Sequence, residues 1–173
     1  MNEDWNSAAS GPTPRSAKTA RELFEIDKQG LHDAIASAPD ILFVAAAGNS
    51  NNDASFNEDV PASFRLANVL AVGAVGQAGD EAPFTSYGPT VVAHANGYEV
   101  ESYVPGGARM RLSGTSMASP NAANLAAKIL AINPRLTPAQ VIDVIRRTED
   151  KTADGRRFLI NPKKAIEQVA ASH

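Results

Sequence analysis

The sequence predicts an α/β layered domain, a mainly parallel sheet flanked by helices, on three observations. Two short, continuous apolar runs, ILFVAAA (41–47) and VLAVGAV (69–75), are bounded by turn residues, the pattern of strands buried on both faces of a parallel sheet. Apolar residues recur at helical spacing before the first run and again after residue 117. The resulting order, helix, buried strand, loop, buried strand, helices, is that of a layered α/β fold with right-handed crossovers.

Residues 1–18 are polar and rich in Pro, Gly and Ser, and are expected to form a flexible lead-in to a domain over 19–173. From Thr19 the positions Leu23, Phe24, Ile26, Leu31 and Ile35 mark a helix, weakened by Gly30 and ended by Pro39–Asp40. The first apolar run then gives way to the turn cluster GNSNND (48–53), and the second follows after a loop. Residues 76–111 are rich in Gly and Pro, with short strand-like pieces near 90–93 and 100–104. A helix is expected over about 117–132, on Leu125, Ile129 and Ile132. Thr137 with Pro138, and Asn161 with Pro162, each read as an N-cap followed by proline at the first helical position, so two more helices close the chain.

The chain's 173 residues suit one domain with a real core. A net charge of −3 offers no basic surface for nucleic acid. No apolar run reaches the length of a membrane span, and the N-terminus lacks the apolar region of a signal peptide. Neither a nucleic acid nor a membrane is therefore expected as a partner. The absence of cysteine excludes thiolate nucleophiles, Cys-ligated zinc and disulfides, and leaves the compartment open.

The segment LSGTSMASPN (112–121) concentrates hydroxyls and small side chains at the mouth of the helix that follows. Two readings are open: Ser113, Thr115 and Ser116 compete to cap that helix, or one hydroxyl is a nucleophile. A nucleophilic serine needs exposure, small neighbours, a base and donors aimed at the developing oxyanion. Gly114 and Ala118 are small neighbours of Ser116, whose own N–H would be one of the unpaired donors at a helix start. Pro120 cannot donate to the Ser116 carbonyl, so a bent first turn is expected. GNSNND and SGTSMASP both lie where a strand gives way to another element, the usual place for sites in open α/β sheets.

The string SGTSMASP resembles the nucleophile motif of the subtilisin-like serine proteases, the subtilases. ILFVAAAGNS is similar to the family's strand leading to the oxyanion-hole asparagine, and VPASFRLANVLAVGAV to the segment after its specificity pocket. LTPAQVIDVI and FLINPKKAIE match its closing helices, so the resemblance covers about 19–170. It implies part of a subtilisin-like three-layer fold and a serine endopeptidase that works through an acyl-enzyme. It implies Ser116 as nucleophile, Asn49 as oxyanion donor, and Gly48, Gly114 and Thr115 as substrate-binding residues. A peptide or protein substrate follows from it, as does a cis Val60–Pro61 bond. No cofactor is required; calcium serves as a structural ion in the family, and nothing in this sequence indicates it. The family is commonly exported.

The subtilase triad runs Asp, His, Ser, and its first two members are missing here. The histidines are His32 in the first helix, His94 in an expected loop and the terminal His173, none with the family's glycine-rich surroundings. The expectation is thus a C-terminal part of a catalytic domain, nearly inert alone because removing a triad member removes most activity. Its partners would be the absent N-terminal part or, through an exposed sheet edge, a second copy. Asp53 and Asp59 read as solvated loop charges, since no ligand spacing supports a metal. Asn121 and Asn124 depart from the family's usual histidine and glycine. Two rivals remain: a non-catalytic binding module, and an α/β-hydrolase, whose G-x-S-x-G elbow is broken here by Ala118 and whose downstream histidine is lacking.

Overall fold

The computed structural model describes residues 14–55, 57–151 and 158–171. Helix α1 (Pro14–Ala36) is followed by β1 (Phe43–Ala46), β2 (Val69–Val75), β3 (Val91–Asn96), β4 (Val100–Tyr103) and β5 (Arg109–Leu112). Then come α2 (Thr115–Ile132), α3 (Pro138–Thr148), β6 (Asp150–Lys151), β7 (Phe158–Leu159) and α4 (Pro162–Ala171). One sheet has the order β1-β2-β3-β7-β6, and β4 and β5 form a separate hairpin. In the five-stranded sheet the pairs β1–β2, β2–β3 and β3–β7 are parallel and the short β6–β7 pair is antiparallel, as is the hairpin pair β4–β5.

The alternation of β2 sorts the layers. Leu70, Val72 and Ala74 join the core cluster of α2, α3 and α4, which includes Ala118, Ala122, Leu125, Ile129, Val141 and Ala165. Val69 and Ala71 point the other way, Val69 packing with Ile35 of α1 and with Phe64. Small side chains on α2 at positions 118, 122 and 126 let that helix lie close to the sheet, while Leu125 and Ile129 fill the remaining depth. Complete burial of each of these two stabilises by about 1.5–3 kcal/mol.

Several expectations meet the structure directly. All seven residues of β2 are buried, as a central parallel strand requires. β1 differs: it pairs only with β2 among the described residues and is half-buried, because it lies at the sheet's edge. Helix α1 begins at Pro14 rather than near Thr19 and passes through Gly30, where open space surrounds the backbone. Residues 1–13 of the expected lead-in lie outside the described residues, as does His173.

His94 is not in a loop. It is buried in β3, opposite Gly73 of β2, where a Cβ at Gly73 would come 2.5 Å from the imidazole Cδ2. Glycine at 73 thus makes room for the ring inside the sheet, which periodicity alone does not reveal. β6 and β7, of two residues each, are too short to carry a pattern, and β5, RMRL, alternates over four residues only.

Both caps hold. Thr137 and Gln140 form a reciprocal capping box, and Asn161 Oδ1 accepts the Lys164 N–H at 2.9 Å. The Val60–Pro61 peptide bond is cis.

Candidate active site

The site is built where β1, β2 and β3 end. β1 runs into Gly48 and Asn49. Gly97, just past β3, donates its N–H to the Val75 carbonyl at the end of β2 and accepts that of Gly114 at 2.8 Å. A Cβ on Gly97 would lie 2.7 Å from both Ala74 Cβ and the Gly114 carbonyl oxygen. Only glycine permits this approach, which holds the turn before α2 against the strand ends. Gly97 is a site-forming residue that the sequence reading missed; its place in an NGY turn was the one available signal.

The hydroxyls of the motif do not cap α2. The N-cap residue is Gly114, with extended backbone and no side-chain cap. Ser113 Oγ instead accepts the Glu99 N–H at 2.9 Å. Thr115, fully buried, donates its hydroxyl to Asn49 Oδ1 at 3.0 Å and accepts the Gly48 N–H at 3.2 Å. Its backbone N–H also donates to Asn49 Oδ1, at 2.8 Å. Four of the five expected site residues, Gly48, Asn49, Gly114 and Thr115, are therefore neighbours, and Ser116 follows directly.

Two donors remain open. Because Asn49 Oδ1 accepts two hydrogen bonds, the amide is fixed with its NH₂ group turned away from Thr115. A Cβ at Gly114 would lie 3.5 Å from that nitrogen, so the missing side chain keeps the space before it clear. At the start of α2 the N–H groups of Thr115 and Met117 are engaged, the latter by the Gly114 carbonyl at 3.0 Å. The Ser116 N–H has no acceptor among the described residues, and its exposed Oγ has no hydrogen-bond partner there. An exposed hydroxyl beside two unused N–H donors is an arrangement that accepts a carbonyl oxygen gaining negative charge.

Helix α2 continues unbroken through Pro120. Asn121 Nδ2 donates to the Met117 carbonyl at 3.3 Å and to Asn96 at 2.9 Å, tying the helix to the end of β3. Asn124 faces solvent and so needs no buried partner. Of the histidines, His32 lies on α1, its ring edge-on to Phe64 at 5.2 Å and its Nδ1 3.3 Å from Asp33 Oδ1. His94 lines a cleft of about 520 Å³ with Tyr87, Arg146, Glu149 and Phe158, which includes neither Asn49 nor Ser116. Burial pushes the Glu149 carboxyl up to about 8 against the opposing charge of Arg146.

Asp53 and Asp59 part company. Asp53 Oδ1 accepts the Ser55 N–H at 2.8 Å. Asp59 is no solvated loop charge: it is half-buried, with Oδ2 enclosed and without a hydrogen-bond partner. No group of three or more His, Cys, Asp or Glu able to hold a metal occurs among the described residues.

Comparison with known proteins places the chain in one family. The model of the subtilase family matches residues 3–161. The chain belongs to the subtilase family. Subtilisin DY of Bacillus licheniformis is 38% identical over 144 residues, covering 81% of this chain and 51% of that protein. Alkaline elastase YaB of a Bacillus species is 36% identical over 141 residues, covering 80% of this chain and 35% of that protein. Among solved structures, the self-cleaved protease domain of PatA superposes with a TM-score of 0.68 at 30% identity, covering 81% of this chain and 55% of that one. A cold-adapted subtilisin-like serine proteinase gives 0.61 at 32% identity, covering 68% and 44%. This subtilase chain spans about a third of alkaline elastase YaB and about half of subtilisin DY.

Proposed function

We propose that this chain supplies the nucleophile and the oxyanion hole of a serine endopeptidase. Ser116 Oγ attacks the peptide carbonyl, the amine leaves, and water hydrolyses the resulting acyl-enzyme. Asn49 Nδ2 and the Ser116 N–H stabilise the tetrahedral oxyanion, while Gly48, Gly114 and Thr115 shape the approach of the peptide. The observation that carries the reading is the Asn49 amide, fixed through its oxygen by Thr115 so that its donors stay free.

The base and its orienting carboxylate come from a segment outside this sequence, so the chain alone is nearly inactive. Support for this comes from Ser116 Oγ, which meets no imidazole among the described residues, and from the edge strand β1. The exposed Leu23, Ile26 and Ile41 add apolar surface on α1 and just before β1, of the kind another layer covers. No step of the reading runs through a cofactor or metal. The chain should be joined to a segment bearing the family's glycine-flanked Asp and His motifs and assayed on a peptide amide. The joined protein hydrolyses it, Ser116→Ala abolishes hydrolysis, and Asn49→Leu lowers turnover by about two to three powers of ten, as loss of this donor does in a subtilisin. Full turnover in the Ser116→Ala variant would overturn the reading.

A further inference from the structure

We infer that the cleft between β3 and the end of α3 binds a small organic carboxylate, its charged end on Arg146 and its apolar body against Tyr87 and Phe158. This site is separate from the serine motif and does not depend on the peptide-cleaving role proposed above.

The cleft, of about 520 Å³, has the size of a small-molecule site. Val91 and Val92, which open β3, help to line it, so it lies toward the start of that strand. The strand's far end, at Asn96, is the part tied to the helix of the serine motif. Tyr87 and Phe158 stand in the lining 37% and 43% exposed, so an aryl or alkyl group can remove apolar surface from water there.

Charge decides the ligand class. The last turns of α3 bring Asp143, Arg146, Arg147 and Glu149 to the cleft, facing His94 of β3 and Tyr87. Arg147 Nε and Asp143 Oδ2 pair at 2.9 Å and neutralise each other. Glu149, the C-cap of α3, has Oε1 enclosed without a hydrogen-bond partner. Burial holds this carboxyl as the neutral acid up to about 8, and the negative end of the helix also disfavours its ionisation. Arg146 acts on Glu149 through its charge but pairs with no carboxylate among the described residues. Of the four α3 groups, Arg146 is thus left as an uncompensated positive charge beside an acid proton. A guanidinium fork takes a carboxylate through two parallel N–H···O bonds, and the Glu149 proton can be donated to the same group. A ligand cation would instead meet Arg146 and require Glu149 to ionise. A metal ion finds no cluster of three acidic or imidazole ligands among the described residues.

The test is titration of phenylacetate and of its uncharged amide, phenylacetamide, into the chain at neutral pH, followed by NMR. Phenylacetate should saturate with a Kd on the order of a millimolar, as suits so small a ligand. It should shift the amide signals of Val92, Arg146 and Glu149 and leave those of Asn49 and Ser116 in place. Phenylacetamide should bind at least about tenfold more weakly, the ratio of one charge-assisted contact. Arg146→Gln alters an exposed side chain and should keep the fold while weakening phenylacetate at least about tenfold. In the unaltered chain phenylacetate affinity should fall as pH rises past about 8, where Glu149 becomes a carboxylate. Glu149→Gln keeps a donor and should not show that fall. Equal binding of acid and amide, unchanged phenylacetate binding in Arg146→Gln, or shifts confined to Asn49 and Ser116 would each overturn the inference. So would a fall that persists in Glu149→Gln, or no saturation at about ten times the expected Kd.

Discussion

Thr115 and Asn49 lie 66 positions apart and are joined by two hydrogen bonds to a single oxygen, Asn49 Oδ1. One comes from the Thr115 backbone and one from its hydroxyl, which also accepts the Gly48 N–H. The threonine thus holds both the amide that would meet the oxyanion and the backbone beside it.

Removing that hydroxyl in Thr115→Val leaves the Gly48 N–H without its acceptor and Asn49 with one donor fewer. Denaturant unfolding should show a loss of about 1–3 kcal/mol. Turnover of the joined protein should fall further than stability explains, because the amide is free to rotate. Thr115→Ser should restore both; a Val variant with unchanged turnover would show that the backbone bond alone orients Asn49.

Gly97→Ala tests the close approach of the motif to the strands. The new methyl collides with Ala74 Cβ and the Gly114 carbonyl at 2.7 Å. Overpacking of this kind costs about 1–3 kcal/mol, measured by thermal or denaturant unfolding. Displacement of the turn should also weaken the Asn49–Thr115 bonds, seen as loss of slow hydrogen exchange at the Thr115 amide.

These two residues also show what was legible in the sequence. The order of the layers, β2, the helix after Ser116 and both proline-led caps follow from local periodicity and capping chemistry, which act over a few residues. The neighbourhood of Asn49 and the serine motif was legible because family motifs mark both. Gly97, the burial of His94 against Gly73 and the enclosure of Asp59 were not. Each depends on a contact between distant segments, and a glycine that permits an approach looks the same in sequence as a glycine in a turn. The edge position of β1 was hidden for a related reason: its apolar run matches that of a central strand, and pairing, not composition, sets exposure.

The Glu149 carboxyl gives a pH dependence of definite sign. Burial raises it from 4.5 to about 8, so the folded chain keeps a proton that the unfolded chain releases. Stability therefore declines as pH rises from about 4.5 to about 8 and levels off above. Glu149→Gln should remove that decline, and its melting temperature should exceed that of the unaltered chain by a margin that grows across this window. Parallel melting curves at all pH values would contradict it.

Glu58 acts in the opposite sense at acid pH. Hydrogen bonds from Arg21 and Lys28 hold its carboxyl down at about 2. Its contribution is fully present above about 4.5 and is lost as pH falls toward about 2. Glu58→Gln should flatten this acid limb, with the difference shrinking in high salt because Arg21 is exposed and Glu58 only half-buried. A difference unchanged by salt would show that packing, not charge, is involved.

The central claim is that Ser116 is a nucleophile whose base lies outside this sequence. The direct measurement is the stoichiometry of fluorophosphonate labelling at Ser116, read by mass spectrometry of the chain alone and of the chain joined to the His- and Asp-bearing segment. The account predicts almost no labelling of the chain alone and full labelling of the joined protein. Stoichiometric labelling of the chain alone, or none of the joined protein, would contradict it.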